Sequence, residues 1–98
     1  MIRRVRLDIR NAAERLAAMP PGPKRRIKEA LRQLASDPTG IAHELDVKEL
    51  RPTEAVPRAF RARIGEWRIV FVVTPREIAV LRIFSRSEGY GWMEGRSP

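Results

Sequence analysis

The chain is 98 residues long, which is enough for one small domain with a single modest core. Its 20 lysines and arginines outnumber its 12 acidic residues, giving a net charge of +8 and a pI near 11.4. This charge favours nucleic acid, an anionic membrane or an acidic protein as partner. The lack of cysteine excludes disulfides and thiolate metal sites, and a single histidine, His43, argues against an imidazole metal centre. We therefore expect neither a metal nor a cofactor, and we place His43 on the surface.

The sequence lacks the usual signals of export and membrane insertion. The basic residues at positions 1–6 are not followed by an uninterrupted apolar stretch. Nowhere do about 18 apolar residues run together, as a membrane-spanning helix requires. We expect a soluble, uncleaved, cytoplasmic protein with one domain over residues 1–98 and no membrane partner.

The N-terminal segment predicts a strand followed by a short helix. Apolar and charged residues alternate over residues 5–9, which is the period of a half-buried strand. From about residue 11 to residue 19 the apolar residues recur at helical spacing, with Asp8 or Asn11 available as the N-cap. The proline-rich run at residues 20–23 ends this helix.

A second helix is predicted from Pro23, which suits the first position of a helix. Apolar residues recur at i, i+3, i+4 and i+7 from Ile27 to Leu34, before residues 37–40 break the run. The two helices then form a hairpin with charged opposite faces. The charged residues are Arg15, Lys24, Arg25, Arg26, Lys28, Glu29 and Arg32. Such a face is usually only solvated, and the alternative is an auxiliary anion surface.

The second half of the chain predicts a meander of strands. Residues 41–57 are irregular and predict a loop with one short strand or turn. Strands are predicted over residues 60–64, 67–73 and 78–85, with a turn at residues 65–66 between the first two. A strand, a helical hairpin and then an antiparallel meander define an α+β fold, with helices packed on one face of a mostly antiparallel sheet.

Guanidinium groups are concentrated in these strands. Residues 58–86 contain seven arginines, two acidic residues and no lysine. Because the guanidinium is planar, stays charged and matches phosphate oxygens bidentately, this pattern points first to RNA or DNA. The alternative is that these are solvent-facing arginines in a protein that is rich in arginine throughout.

Period-two alternation predicts where the arginines lie. In the last strand it places four residues on one face: Ile78, Val80, Arg82 and Phe84. Because an unpaired buried charge is strongly destabilising, we expect the arginines to face water around a single concavity. The five arginines are Arg61, Arg63, Arg68, Arg82 and Arg86.

Cleavage of RNA is compatible with the residues present. There is no Ser-His-Asp set, Gly-rich phosphate loop or metal-ligand spacing. The 2′-hydroxyl of RNA can nevertheless attack its own phosphate if a protein orients the strand, stabilises charge and assists proton transfer. Tyr90, four residues after Arg86, is a candidate for the last role because nearby guanidiniums favour its phenolate form. The alternative is an ordinary aromatic packed on the sheet edge, which is also how Trp67 and Trp92 are interpreted, although Trp92 has the shape to stack on a base.

Three short motifs accompany this order of elements. Residues 48–51 read Lys-Glu-Leu-Arg, residues 65–71 read Gly-Glu-Trp-Arg-Ile-Val-Phe, and residues 86–90 read Arg-Ser-Glu-Gly-Tyr. In their order and spacing they resemble the RelE/ParE superfamily of bacterial toxins over nearly the whole chain. The corresponding family motifs are Lys-Leu-Arg-Gly before the basic strand, Gly-x-Tyr-Arg-aliphatic-aliphatic-Tyr, in which Trp67 and Phe71 replace the tyrosines, and a C-terminal Arg-x-x-x-Tyr.

In the RelE branch, this resemblance implies a toxin that enters the ribosomal A site and cleaves messenger RNA by 2′-hydroxyl attack, leaving a cyclic phosphate. No metal is used. Such toxins pair with a cognate antitoxin protein, which implies a toxin–antitoxin hetero-oligomer, and the charge of +8 suits an acidic antitoxin segment.

The resemblance also implies residue roles. Arg68 would stabilise the phosphorane, Arg86 would stabilise charge or act as acid toward the leaving 5′-oxygen, and Tyr90 would be the base. Arg51 and Arg61 match positions that hold the RNA backbone in the family. Together with the other basic residues of this region, the expected RNA-binding residues are Lys48, Arg51, Arg58, Arg61, Arg63 and Arg82. Two departures matter, because Ala59 stands where the family has a second lysine and Ser85 stands where many relatives have histidine, which excludes histidine acid–base catalysis at that position.

Two other functions are also compatible with the sequence. The ParE branch shares the fold, inhibits DNA gyrase and generally lacks the nuclease residues, whereas this chain has Arg68, Arg86 and Tyr90. A non-catalytic nucleic-acid-binding module would hold phosphates on the sheet with strong salt dependence and no cleavage.

Overall fold

The computed structural model describes residues 2–51 and 58–88, and in these residues a helical hairpin packs on one face of a five-stranded sheet. The strands are β1 (Arg4–Leu7), β2 (Asp46–Glu49), β3 (Phe60–Ile64), β4 (Trp67–Val73) and β5 (Glu77–Ser85). The helices are α1 (Glu14–Ala18) and α2 (Pro21–Ser36), and shorter helical turns are formed by Ile9–Ala13, Ile41–His43 and Arg86–Glu88.

The order of strands across the sheet is β1-β5-β4-β3-β2. The edge strand β1 runs parallel to β5, whereas every other pair of neighbours is antiparallel. The α+β prediction, with an N-terminal strand, a helical hairpin and an antiparallel meander, is confirmed.

The junction between β1 and the hairpin differs from the sequence prediction. β1 ends two residues before Ile9, whose side chain is 78% exposed instead of facing the core. The turn Ile9–Ala13 is π-helical, and Asp8 makes no side-chain cap. Asn11 is not a cap either, because its side-chain oxygen accepts a hydrogen bond from the backbone N–H of Ile83 at 3.1 Å. This bond ties the start of the hairpin to β5.

α2 begins at Pro21, two residues earlier than predicted. Prolines 21 and 23 are tolerated there because the N–H groups of a first helical turn have no intrahelical acceptor. The buried face is the predicted one extended by one residue: Ile27, Ala30, Leu31, Leu34 and Ala35. After the helix, Gly40 adopts φ +76°, and a Cβ there would lie 2.6 Å from Cγ2 of Val47. This turn therefore requires glycine.

The main core lies between the helices and the sheet. The apolar face of α2 packs against residues of β3, β4 and β5, among which Phe71, Ile69 and Ile83 are fully buried. The Phe60 and Phe71 rings stack with centroids 5.8 Å apart. Since full burial of a large aliphatic or aromatic side chain stabilises by about 1.5–3 kcal/mol, this layer holds the sheet in place under the hairpin.

A β-bulge interrupts the pairing of β4 with β5. Val80 pairs with Phe71, but Arg82 pairs with Val70, so that Leu81 has no partner of its own. An extra residue of this kind bends the strand and exchanges the faces on which the following side chains lie.

The bulge overturns the alternation predicted for the last strand. Ile78 and Val80 face the helices, whereas the predicted alternation put them on the same face as the water-facing Arg82. Arg82 and Phe84 lie instead on the opposite face, here called the open face, because the extra residue shifts the period by one. Without this shift Arg82 would lie beneath the hairpin.

The open face has a small apolar cluster of its own. Its buried members are Ala59, Val70 and Phe84, with Leu50, Val72 and Leu81 packed around them. The cationic residues of β3 and β4 stand beside this cluster, on a surface that the hairpin does not cover.

Candidate anion-binding site

Cross-strand pairing sets cations side by side on the open face. One row across the sheet comprises Lys48, Arg61, Val70 and Arg82. The next row comprises Asp46, Arg63, Arg68 and Phe84. Like charges directly opposite one another destabilise a sheet, so this arrangement does not serve the fold. It suits a bound anion, which would relieve the repulsion.

A cavity of about 540 Å³ opens among these rows. Its lining residues are Lys48, Glu49, Leu50, Arg51, Arg61, Arg63 and Arg68. Five of the seven are cations and one is acidic. Guanidinium groups suit phosphate, because its oxygens accept their paired N–H donors, and this makes the cavity a candidate anion site.

Arg68 is buried rather than water-facing, with 8% of its surface exposed. Its Nη1 donates to the carbonyl oxygens of Gly65 at 2.8 Å and of Trp67 at 3.0 Å. Hydrogen bonds from a charged donor contribute about 1.5–3 kcal/mol each, which offsets part of the desolvation cost that led us to expect exposure. The predicted β3–β4 turn, with Gly65 at φ +60°, therefore orients the Arg68 guanidinium.

Arg61 is also largely covered, since only 12% of its side chain is exposed. Its Nη1 lies 3.4 Å from Oδ2 of Asp46 on the neighbouring strand β2. Arg63, one position further along β3's open face, is exposed. The site thus combines two largely covered guanidiniums, those of Arg61 and Arg68, with the exposed side chain of Arg63.

Arg86 lies apart from this cavity. It begins the turn Arg86–Glu88, and its backbone N–H donates to the carbonyl oxygen of Glu66 at 2.7 Å. A separate cavity of about 260 Å³ is lined by Arg86 with Glu66, Ser85 and Ser87. Of the five arginines expected around a single concavity, Arg61, Arg63 and Arg68 line this cavity, whereas Arg82 and Arg86 do not. Tyr90 and Trp92 lie outside the described residues.

The remaining predicted contacts surround the site. Lys48, Arg51 and Arg58 are exposed, and Arg82 is half-buried in the row that contains Lys48. His43 is exposed, as predicted. Within residues 2–51 and 58–88, no three acidic, histidine or cysteine side chains form a cluster that would hold a metal ion.

Glu88 holds the end of β5 to the hairpin, a role that the sequence did not reveal. Its carboxylate forms two hydrogen bonds with the guanidinium of Arg15 on α1, one of them 2.9 Å from Nη1 to Oε2. It also accepts the backbone N–H and hydroxyl of Ser85 at 2.9 and 3.0 Å. These bonds, with that from Arg15 the largest, lower the pKa of Glu88 below its ordinary value of 4.5.

Asp46 is a second site residue that sequence reasoning missed. A carboxylate that follows an irregular segment resembles any solvated loop residue, and only the register of β2 against β3 brings it to Arg61. The bond from the Ser85 backbone to Glu88 could have been found from sequence, because an acid three residues after a serine can accept from that serine's N–H. The bond from Arg15 could not, because Arg15 is 73 residues away in the chain.

This fold, a helical hairpin on a five-stranded sheet, matches solved structures of RelE toxins. The archaeal RelE–RelB complex from Pyrococcus horikoshii OT3 matches with a TM-score of 0.71 and 25% identity, covering 91% of this chain and 100% of that one. The RelB–RelE antitoxin–toxin complex from Methanococcus jannaschii matches with a TM-score of 0.62 and 19% identity, covering 85% and 92%. The RelBE2 complex from Mycobacterium tuberculosis matches with a TM-score of 0.57 and 23% identity, covering 88% of this chain and 100% of that one.

The sequence assigns the family. Residues 3–90 match the model described as ParE toxin of the type II toxin-antitoxin system parDE, and the chain belongs to this family within the RelE/ParE superfamily. It is the toxin of a type II toxin-antitoxin system. No curated protein matched the chain. In the described part of the chain, no helix is long and apolar enough to cross a membrane.

Proposed function

We propose that this toxin is a ribosome-dependent mRNA endoribonuclease that cleaves by attack of a 2′-hydroxyl on the adjacent phosphate and so inhibits translation. The observation that supports it most is the cavity in which five cations, including the buried Arg68, surround space for a phosphodiester. The protein would act as a single domain in the cytoplasm, where ribosomes are found.

Arg68 would stabilise the transition state of this cleavage. The 2′-oxygen loses its proton and bonds to phosphorus, the bond to the 5′-oxygen breaks, and that oxygen gains a proton, leaving a 2′,3′-cyclic phosphate. Negative charge builds up on the phosphoryl oxygens along this path. A guanidinium already oriented by two carbonyl groups stabilises that charge without reorganising, a term worth about 2.7–4 kcal/mol per donor at comparable sites.

Proton transfer would belong to the end of the chain. Arg86 would stabilise the leaving 5′-oxygen or protonate it, and Tyr90 would accept the proton of the 2′-hydroxyl. The RNA strand would be held by the surrounding cations. These are Lys48, Arg51, Arg58, Arg61, Arg63 and Arg82. The reaction as written needs no metal ion.

The partner of this toxin is proposed to be a cognate antitoxin in a hetero-oligomeric complex. Each of the three similar structures is a complex of a RelE-type toxin with a RelB-type antitoxin. An acidic antitoxin segment would complement the net charge of +8 and accelerate association through electrostatic steering.

The test is to induce the chain in a bacterial host and map messenger 5′ ends across the genome, with plasmid supercoiling measured in the same cells. New cuts within translated frames are expected from the wild type and should vanish in Arg68→Ala/Arg86→Ala. Tyr90→Phe should lower cleavage by about 10²–10⁴-fold if the phenol transfers the proton.

The matched control is Arg25→Ala, which removes an exposed arginine from α2 on the opposite side of the sheet. It should cut like the wild type. Retention of antitoxin binding by each variant would show that the fold survives. Intact messages in the wild type, despite soluble expression, would contradict the nuclease.

Inhibition of DNA gyrase is the second candidate, and the ParE family match favours it. A gyrase-directed toxin would change plasmid supercoiling while messages stay intact. If neither readout changes, a non-catalytic module that binds phosphates through the open face would account for the cavity.

A further inference from the structure

A single carboxylate joins three elements at the end of the sheet. Glu88 accepts four hydrogen bonds, two from the guanidinium of Arg15 and two from the backbone and hydroxyl of Ser85. Arg15 belongs to α1, whereas Ser85 is the last residue of β5. The carboxylate therefore links the hairpin to the point at which the chain leaves the sheet.

The Arg15 side chain also contacts an aromatic ring. The guanidinium carbon of Arg15 lies 6.0 Å from the centroid of the Trp67 ring, the first residue of β4. Stacking of a guanidinium on an indole ring is favourable and restricts where the guanidinium can go. Arg15 thus contacts β4 through Trp67 and the end of β5 through Glu88.

The turn between these contacts carries Arg86. Its backbone N–H bonds to the Glu66 carbonyl at 2.7 Å, and the hydroxyls of Ser85 and Ser87 lie 3.1 Å apart. A three-residue 3₁₀ turn has little stability of its own. Its position therefore depends on Glu66 on one side and on Glu88 with Arg15 on the other.

We propose that Arg15 and Glu88 are a positioning pair that holds Arg86 in place for RNA cleavage. This inference rests on the proposed nuclease function and adds two residues to it. Neither residue lines the phosphate cavity, so their effect on the reaction is exerted through the turn. A displacement of about 1 Å at a reacting group can lower a rate by about 10²-fold, and loss of the pair frees the turn on one side.

The experiment uses purified full-length toxin and translating ribosomes in single-turnover cleavage of a bound message. The variants are Glu88→Gln, Arg15→Ala and the double variant Arg15→Ala/Glu88→Gln. At saturating ribosome concentration, each single variant should cleave about 10–10²-fold more slowly, with the half-saturating concentration changed by less than about two-fold. The double variant should be no slower than the slower single variant, because both remove one interaction.

Matched controls come from a second Arg–Glu pair. Arg32 and Glu29 form an exposed pair on α2, with Nη1 and Oε1 3.1 Å apart. Glu29→Gln and Arg32→Ala should cleave at the wild-type rate. Amide hydrogen exchange supplies a readout that does not depend on activity, because the N–H groups of Ser85 and Arg86 should exchange faster in Arg15→Ala than in Arg32→Ala.

Each remaining outcome overturns a distinct statement. If the wild type cleaves and Arg15→Ala cleaves equally fast, the positioning role is wrong and the nuclease stands. If the half-saturating concentration rises while the saturated rate holds, the pair contacts RNA and does not position Arg86. A wild type that leaves messages intact overturns the nuclease and the role together, whatever the exchange data show.

Discussion

Arg68 combines burial with a charge that the fold keeps in a fixed direction. A single nitrogen, Nη1, donates to the carbonyl oxygens of both Gly65 and Trp67. Because the guanidinium is planar, holding Nη1 also restricts the direction of Nη2 and Nε. A lysine in its place would keep the charge but present a single ammonium on a flexible stem. For the proposed cleavage, the fixed orientation of the Arg68 guanidinium would therefore matter more than its charge.

Arg68→Lys is therefore expected to cleave nearly as poorly as Arg68→Ala, with both about 10²–10³-fold below wild type. Single-turnover cleavage of ribosome-bound message measures this. Arg32→Lys on the solvated helix face is the control and should cleave normally. Full activity in Arg68→Lys would show that charge alone suffices at this position.

Two glycines with positive φ are expected to respond differently to alanine. At Gly65 a Cβ would make only an ordinary van der Waals contact, 3.5 Å from Nη1 of Arg26. The left-handed backbone alone sets the cost, so Gly65→Ala should lower the free energy of unfolding by about 1–2 kcal/mol. At Gly40 a Cβ also meets the Leu45 carbonyl oxygen at 2.9 Å, adding about 1–3 kcal/mol. Urea unfolding of both variants compares them, and an equal loss would contradict this difference.

At the scale of elements, the β-bulge decides on which face of the sheet Arg82 and Phe84 lie. β5 supplies core residues before the bulge and open-face residues after it, so one strand serves both the core and the site. A bulge costs pairing locally, and such features are found next to functional sites because they redirect side chains.

Deletion of Leu81 is expected to be tolerated, because it removes the bulge while Val80 and Arg82 keep their partners and their faces. Deletion of Ile83 should abolish folding, because it moves Phe84 under the hairpin and shifts every later residue by one. Thermal unfolding followed by circular dichroism distinguishes them. A folded Ile83 deletion together with an unfolded Leu81 deletion would refute this register.

The strands themselves could be predicted from sequence, because alternation and turn chemistry are local properties. The β3–β4 hairpin at Gly65 and the helical face from Ile27 are found as predicted. The bulge at Leu81 could not be predicted, because no glycine marks it and its cause is the packing of both faces. The Arg15–Glu88 pair escaped prediction because tertiary structure alone brings these residues together.

The tie between α1 and the end of β5 should depend on pH. The folded-state pKa of Glu88 lies below its ordinary value of 4.5, mainly because Arg15 bonds to the charged form. The stabilisation is therefore fully present above that ordinary value and is lost as pH falls through the lower folded-state value. Since both side chains are partly exposed, we expect at most about 1 kcal/mol.

The measurement is the difference in unfolding free energy between wild type and Glu88→Gln from pH 3 to pH 7. This difference should be constant near neutrality and shrink at the acid end, while other carboxylates cancel in the subtraction. A difference that grows as the pH falls would have the wrong sign for a depressed pKa.

At the scale of the whole molecule, basic residues occupy two opposite surfaces. The open face holds the arginine cavity, and the outer side of α2 carries exposed Arg25, Lys28 and Arg32. The sequence left open whether the helical surface also binds anions. Within the described residues, the open face has the convergent geometry, whereas the α2 cations point outward along a helix with Glu29 among them.

Salt dependence separates the two surfaces. For binding to a 2′-O-methylated single-stranded RNA, which cannot be cleaved, Arg63→Gln should reduce the slope of log K against log salt by about 0.7. Arg25→Gln should leave the slope unchanged. Equal reductions by both variants would make the helical surface part of the RNA interface.

The parallel pairing of β1 with β5 joins two segments that the ribosome synthesises at well-separated times. Arg4 pairs with Glu77, so roughly 70 residues must be added after β1 before its partner exists, which takes roughly 4–14 s at the usual speed of synthesis. The strand that carries Arg82 and leads to Arg86 also emerges last. The nascent chain therefore has no complete sheet on which to display its cations. The cationic open face is therefore assembled only after the last of the described strands has been synthesised.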